Sequence, residues 1–183
     1  MQVEVSVQDC FYESSLLEAF DLEASNQYTE QITIETWETW FERWLEILHP
    51  NIPPALGYEL SLRLTDDREI QALNAQYRDQ NEPTDVLAFA ALELECPQSI
   101  EMRSLPLYLG DIVISVDTAN RQAQQQGQTL KTELAWLAAH GLLHLLGWDH
   151  PDEDSLTQML NQQYILLQVV SIAINTTENR MNG

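Results

Sequence analysis

Residues 140–150 read His-Gly-Leu-Leu-His-Leu-Leu-Gly-Trp-Asp-His and hold three of the four histidines of the chain. On a helix, His140 and His144 project from one face, about 40° apart around the axis and about 6 Å apart along it. Gly147 is typical of a helix end, because glycine adopts the left-handed conformation at little cost. The chain can then turn back and bring His150 to the same place. Three histidines leave a tetrahedral metal one open position, which is typical of a catalytic site.

The helix that carries this stretch is predicted to begin after a Thr129 cap and to run to about Leu146. Any one of its histidines, taken alone, fits a hydrogen-bonded core or cap residue, and it is the spacing of the three that favours a metal. In HExxH metalloproteases a glutamate follows the first histidine and acts as general base. Here that position is Gly141, so a protease would need Asp149 or Glu133 instead. A glycine inside a helix costs about 1 kcal/mol relative to alanine, which suggests close packing at this position.

Hydrophobic periodicity predicts the remaining elements. Strands are expected at 2–9, 58–65, 86–91 and 107–115, and further helices at 36–48, 66–77, 117–126 and from about 152 to about 174. Tryptophans in the first helix repeat at helical spacing, which favours the core over a base-stacking surface. The fold class is therefore α+β, with an approximately four-stranded mixed sheet, four to six helices and the metal site at a helix end.

Domain organisation follows from the same patterns. We expect a single metal-dependent hydrolase domain over residues 1–174, with an irregular acidic insertion at 10–33 and a flexible tail at 175–183. Cys10 and Cys96 are the only cysteines, and they lack metal-site spacing. The chain has no signal peptide pattern and no apolar run long enough for a membrane span, so a cytoplasmic protein without membrane partners is expected.

The charge of the chain restricts its partners. Its 29 acidic residues and 8 basic residues give a net charge of −21 at pH 7, and Lys131 is the only lysine. Such a surface repels polyanions at long range. If the substrate is a nucleic acid, overall charge cannot supply the binding, and a local cluster of arginines together with the metal ion would have to.

Three segments, in order, resemble one known family. The first runs from Leu73-Asn74 through Tyr77-Arg78 to Pro83-Thr84-Asp85-Val86-Leu87-Ala88-Phe89. The second is Leu109-Gly110-Asp111-Ile112-Val113-Ile114-Ser115, and the third is the histidine stretch itself, with Trp148 where the family usually has tyrosine. This pattern resembles the YbeY endoribonucleases, also called rRNA maturation factors.

The resemblance implies a single-strand-specific, zinc-dependent endoribonuclease that acts in rRNA processing, including maturation of the 16S 3′ end, and in ribosome quality control. It implies one Zn²⁺ per chain on His140, His144 and His150, with Arg78 and His140 as catalytic residues and Arg78 on the scissile phosphate. The implied partners are single-stranded RNA or rRNA, the ribosome or its proteins, and an assembly GTPase.

Three further residues have weaker assignments. Asp149 is a candidate to accept a hydrogen bond from a metal-binding histidine and so orient its ring, and a turn or cap role fits it equally well. Arg63 and Arg103 are candidates for substrate binding, with solvated surface charge as the simpler explanation. Asp85 and Asp111 are expected to be mainly structural.

Some positions depart from the family pattern, and other functions stay open. Gln80 and Asn81 replace the usual lysine and aspartate, and Ala88 replaces the usual serine, which removes one cation from the expected RNA groove. The alternatives are a zinc-dependent hydrolase of another class, such as a peptidase or phosphodiesterase, and a non-enzymatic ribosome-assembly module with a structural zinc.

Overall fold

The computed structural model describes residues 2–11, 32–50, 52–91 and 105–174. Most of the segment 10–33, Cys96, Arg103 and all of 175–183 lie outside these residues, so the insertion, the tail and the Arg103 assignment stay predictions. Within the described part there are four strands: β1 Val3–Asp9, β2 Tyr58–Thr65, β3 Val86–Ala90 and β4 Leu107–Ser115. The same part contains five helices: α1 Ile34–Leu48, α2 Asp67–Arg78, α3 Val116–Gln126, α4 Leu130–Leu145 and α5 Glu153–Val169.

The sheet is mixed, with strand order β1-β2-β4-β3. β1 and β4 both pair with β2 in parallel, and β3 pairs antiparallel with β4. The α+β class and the four-stranded mixed sheet are therefore confirmed. No helix in the described part of the chain combines the length and the apolar character that a membrane span requires.

The two faces of the sheet are covered differently. The main core lies on the face of Leu60, Leu62 and Ile112, where α1, α4 and α5 contribute their apolar side chains. α2 packs on the opposite face through Ile70, which contacts a small cluster that includes Val113. Because apolar residues alternate along each central strand, one face of the sheet supports the histidine helix and the other supports the helix that ends at Arg78.

Helix α1 carries the tryptophan stripe into the main core. Trp37 and Trp44 are fully buried, and the Trp44 indole Nε1 donates a hydrogen bond to the Leu166 carbonyl of α5 at 2.8 Å. The core assignment of these tryptophans is confirmed. His49, the fourth histidine, is the left-handed C-cap of α1, with φ 40°.

Three helix boundaries differ from the sequence-based expectation. α1 begins two residues earlier, with Thr33 as its cap, and α3 is capped by Ser115 and not started by Asp117. α5 ends at Val169, about five residues before the expected end, because Ser171 takes a positive φ of 60° and the Ile172 N–H returns to the Leu167 carbonyl. The apolar residues beyond Val169 had suggested a longer helix.

A polar cluster joins α2 to α3. The Asp67 carboxylate accepts hydrogen bonds from the Ser115 and Thr118 hydroxyls, both at 2.6 Å, and forms an ion pair with Arg121 at 2.8 Å. Together these donors lower the pKa of Asp67 against the opposing effect of its partial burial. The cluster anchors the start of α2, and it neutralises the Arg121 charge.

Candidate metal centre

The end of α4 folds the chain back on itself. The Trp148 N–H donates to the Leu143 carbonyl and the Gly147 N–H donates to the His144 carbonyl, both at 3.0 Å, and Gly147 has φ +86°. This pair of bonds around a left-handed glycine is the Schellman motif that ends many helices. The predicted stop at Gly147 is confirmed, and the turn brings His150 to the helix end.

The glycine inside α4 is explained by its neighbour on the sheet. A Cβ at Gly141 would lie 2.7 Å from the Ile112 Cγ2 and 3.2 Å from two further carbons of that side chain. The helix therefore rests directly on β4 at the residue after His140. The expectation of close packing at Gly141 is confirmed.

The three histidines meet in one cluster. One ring nitrogen from each of His140, His144 and His150 lies within 4.8 Å of the others, and the Nε2 atoms of His140 and His144 are 3.0 Å apart. Two nitrogens bound to one zinc at about 2.0–2.1 Å in a tetrahedral arrangement are separated by about 3.3 Å. The spacing of this pair is close to that value, so the cluster fits a metal ion of this size.

The hydrogen bonds on the far sides of the two rings also fit a cation. His140 Nδ1 is 3.1 Å from the side-chain oxygen of Gln163, which can only accept. A hydrogen bond with the Trp148 backbone favours the charged form of His144 and raises its pKa, as a carbonyl acceptor does. Since His144 Nε2 faces His140, Nδ1 is the nitrogen left to donate that bond. When both rings carry their proton on Nδ1, the two Nε2 lone pairs face the space between the rings, where a metal ion would bind.

Burial keeps these rings neutral at neutral pH. It is the main factor that lowers the pKa of His144, to about 4, and the adjacent His140 and His150 lower it further. Burial also lowers the pKa of His140, although Gln163 and the Asp85 carboxylate act in the opposite direction. Metal coordination requires neutral imidazole, so at pH 7 protons do not compete for these two ligands.

Gln163 of α5 is the polar neighbour that sequence reasoning missed. Its side chain is fully buried, and its Nε2 donates to the Trp136 carbonyl of α4 at 3.2 Å while its oxygen faces His140. A signal for it exists in the sequence: it lies three or four residues from each of four buried apolar residues, Met159, Leu160, Leu166 and Leu167. A glutamine in such a stripe is a polar side chain at a core position.

Arg78 lies beside the strand that supports the histidine helix. It is the exposed last residue of α2, and its Nη2 donates to the backbone carbonyl of Ala88 in β3 at 3.3 Å. Ala88 pairs with Ile112, the residue that contacts Gly141. In the described part of the chain, Arg78 makes no ion pair and no direct hydrogen bond with the histidines. The acceptor at residue 88 is the backbone carbonyl, so this hydrogen bond does not depend on whether the residue is alanine or the family's usual serine.

The turn after Arg78 is fixed by Asn74. This buried side chain donates to the Glu82 carbonyl at 2.9 Å, and the Asn74 backbone carbonyl accepts from the Gln80 N–H at 3.3 Å. The Asn81 carbonyl and side-chain oxygens both accept from Gln71 at 3.2 Å. Gln80 and Asn81 are exposed, so the two departures from the family pattern fall on the surface of an ordered turn.

The other candidate residues are occupied elsewhere. Arg63 forms an ion pair with Glu69 and donates to the Gln8 side chain at 3.0 Å, so its charge is already balanced. One Asp149 oxygen accepts from the His150 backbone N–H at 2.8 Å, which corresponds to the turn role considered for it. Glu133 is buried in the first turn of α4, about 10 Å along the axis from His140, and so is too far to replace a missing protease base.

Asp85 and Asp111 have structural hydrogen bonds. One Asp85 oxygen accepts from the Val86 N–H at 2.7 Å and the other from Gln122 at 3.0 Å, while its charge raises the pKa of His140. Asp111 accepts from the Tyr108 hydroxyl at 2.7 Å. Asp85 therefore influences the cluster through its charge and does not join it as a ligand.

Taken together, an α+β domain carries a three-histidine cluster at the C-terminal end of α4. Residues 23–171 match the sequence profile of the family described as Endoribonuclease YbeY. A Trichormus variabilis protein of that name is 65% identical over 175 residues, which cover 96% of this chain and 98% of the relative. A Nostoc protein of the same name is 63% identical over 175 residues, with 96% and 94% covered.

The chain belongs to the YbeY family. The resemblance inferred from the three sequence motifs is confirmed. A solution structure of a Thermotoga maritima protein is also similar, with 21% identity, 99% of this chain and 95% of that chain covered, and a TM-score of 0.47. Membership rests on the sequence relatives.

Proposed function

We propose that this protein is a zinc-dependent endoribonuclease that cleaves single-stranded RNA. The observation that carries the proposal is the pair of Nε2 atoms of His140 and His144, 3.0 Å apart, in a cluster with His150 whose three ligand atoms lie within 4.8 Å of one another. Family membership supplies the substrate class, because its relatives are named endoribonucleases. One Zn²⁺ per chain, held by the three histidines, would leave an open position for the reaction.

The histidines and Arg78 would have separate roles in the reaction. His140, His144 and His150 would hold the ion, which supplies Lewis-acid polarisation of an oxygen in the reaction when it is bound. Arg78 would bind the scissile phosphate, since a guanidinium can offer two parallel donors to phosphate oxygens and stays charged. The charge of Arg78 is available for that role: Arg63 and Arg121 are paired with carboxylates, and Arg78 in the described structure is not.

The biological setting follows from the family. We propose rRNA as the substrate, with maturation of the 16S 3′ end and ribosome quality control as the processes, and the cytoplasm as the location. Ribosomal proteins and an assembly GTPase are the proposed partners. An acidic surface suits delivery by a protein partner, because a chain with a net charge of −21 does not attract RNA by long-range electrostatics.

The test is an RNA cleavage assay with zinc-loaded wild type, Arg78→Ala and Arg68→Ala. Arg68 is the matched control: it is exposed in the same helix, ten residues and so about 15 Å from Arg78, and has the same charge. We expect Arg78→Ala to lower kcat by about 10²–10³-fold, as removal of a donor to developing charge does. Arg68→Ala should leave cleavage unchanged.

Other outcomes would point to the alternatives. Equal activity of the two arginine variants would remove Arg78 from the site. Cleavage of a casein peptide with no cleavage of RNA would indicate a peptidase. Zinc bound at one ion per chain, with no hydrolysis of RNA, peptide or phosphodiester, would indicate a structural metal in an assembly protein.

A further inference from the structure

Gln163 contacts two parts of α4 at once. Its oxygen lies 3.1 Å from His140 Nδ1, and its nitrogen donates to the Trp136 carbonyl at 3.2 Å. Trp136 is four residues before His140, so the amide spans one turn of the helix on a single face. No part of the Gln163 side chain reaches solvent.

The orientation of this amide is determined by its partners. The Trp136 carbonyl can only accept a hydrogen bond, so the NH₂ group of Gln163 must face it. The amide oxygen then faces His140, and an oxygen can only accept. A fully buried glutamine with its ends reversed would place two acceptors together at Trp136, at the cost of an unsatisfied buried polar group.

We infer that Gln163 is a positioning residue that fixes the tautomer and the ring orientation of His140, so that Nδ1 carries the proton and Nε2 is presented to the metal. The inference rests on the metal site proposed above, and it does not depend on RNA as the substrate. Hydrogen bonds to the remote nitrogen of a metal-bound histidine select the tautomer and make the ring a better ligand. Glutamine provides the acceptor here without adding a negative charge.

The position of Gln163 in the fold supports a role beyond filling space. It lies on the buried stripe of α5 among apolar residues, where leucine or methionine would pack without needing partners. Both of its hydrogen bonds go to α4, and one goes to a member of the histidine cluster. The contact therefore ties the last helix of the domain to the geometry of the site.

The test compares Gln163→Met, Gln163→Glu and Gln158→Met with wild type. Methionine keeps the length of the side chain and removes the acceptor, glutamate keeps an acceptor toward His140, and Gln158 is an exposed glutamine of the same helix. Zinc dissociation constants are measured by competition with a chelator, and the His140 tautomer of zinc-free protein is read from long-range ¹H–¹⁵N NMR spectra. The free energy of unfolding of the zinc-free proteins is measured in urea.

We expect Gln163→Met to raise the zinc dissociation constant by about 10–100-fold, the usual effect of losing such a contact. His140 should lose its preference for the Nδ1–H tautomer in this variant and keep it in wild type and Gln163→Glu. Glutamate should recover most of the zinc affinity, and Gln158→Met should match wild type in every measurement.

Two results would overturn the inference. One is a Gln163→Met protein that is less stable but binds zinc within about 2-fold of wild type, because the glutamine would then serve packing alone. The other is a wild-type His140 with its proton on Nε2, which needs no variant and so decides the matter even if Gln163→Met fails to fold. Absence of RNA cleavage by the zinc-loaded wild type would count against the proposed function and leave the tautomer result intact.

Discussion

Gly141 and Ile112 are in direct contact across the interface between helix and sheet, with no room for a single added methyl group. A Cβ on Gly141 would lie 2.7 Å from Ile112 Cγ2. The contact sets the height of α4 above β4 at the residue next to His140. The position of the first histidine is thus determined by the packing of the sheet as well as by its own helix.

Gly141→Ala is therefore expected to destabilise the protein, although alanine is the better helix former. Helix propensity favours the alanine by about 1 kcal/mol, while overpacking in a core costs about 1–3 kcal/mol. We expect a net loss of up to about 2 kcal/mol in the free energy of unfolding, measured in urea without metal.

A double-mutant cycle with Ile112→Ala checks the cause. In the Ile112→Ala background the obstructing carbons are gone, so Gly141→Ala should become neutral or stabilising. Gly141→Ala that is clearly more stable than wild type would contradict the close contact.

The sequence predicted the histidine cluster because its geometry is local. His140 and His144 are related by one helix turn, and the Schellman turn at Gly147 needs only a glycine in the right place. Contacts between distant segments were not predictable in the same way. Gln163 contacts His140 although the two residues are 23 positions apart in the sequence. Arg78 donates to a backbone carbonyl, and every residue type offers such an acceptor, so the sequence does not indicate this contact.

The predicted end of α5 was wrong for a related reason. The residues from Val170 to Ile174 are mostly apolar and continue the hydrophobic pattern, so periodicity extended the helix. The helix ends because Ser171 adopts a left-handed conformation, which serine seldom does. Hydrophobicity indicates which residues pack on the core. It does not indicate the backbone conformation that places them there.

His144→Ala is expected to abolish tight metal binding, whereas His49→Asn should preserve it. The first change removes one of three ligands in the cluster, while His49 is an exposed cap at the end of α1. Asparagine is chosen at residue 49 because it tolerates the left-handed conformation found there. Zinc per chain is measured after dialysis: we expect close to one for His49→Asn and close to zero for His144→Ala. Retention of zinc by His144→Ala would mean that the ion binds elsewhere.

The stability of the metal-free protein should depend on the protonation of His144. Its pKa is about 4 in the folded state and about 6.5 in the unfolded chain. Above about pH 6.5 the ring is neutral in both states and imposes no penalty. As the pH falls from about 6.5 to about 4, the unfolded state takes up the proton first, so the free energy of unfolding decreases.

Urea unfolding of wild type and His144→Asn over this pH range isolates the effect. The free energy of unfolding of wild type minus that of His144→Asn should be constant above about pH 6.5. It should decrease steadily as the pH falls from there to about pH 4. A difference that stays constant with pH would mean that the folded-state pKa of His144 is not lowered.

RNA binding by this acidic protein is expected to respond weakly to salt. For single-stranded nucleic acid, the logarithm of the affinity falls with the logarithm of the salt concentration by about 0.7 per phosphate contact. With Arg78 as the one arginine proposed to contact the RNA phosphate, the slope for the metal-loaded protein should be shallow, about −1 to −2. Fluorescence anisotropy of a labelled 2′-O-methyl oligonucleotide measures it. Arg78→Ala should make the slope less negative by about 0.7, and Arg68→Ala should leave it unchanged. A steep slope shared by all three proteins would reveal a basic surface that does not involve Arg78.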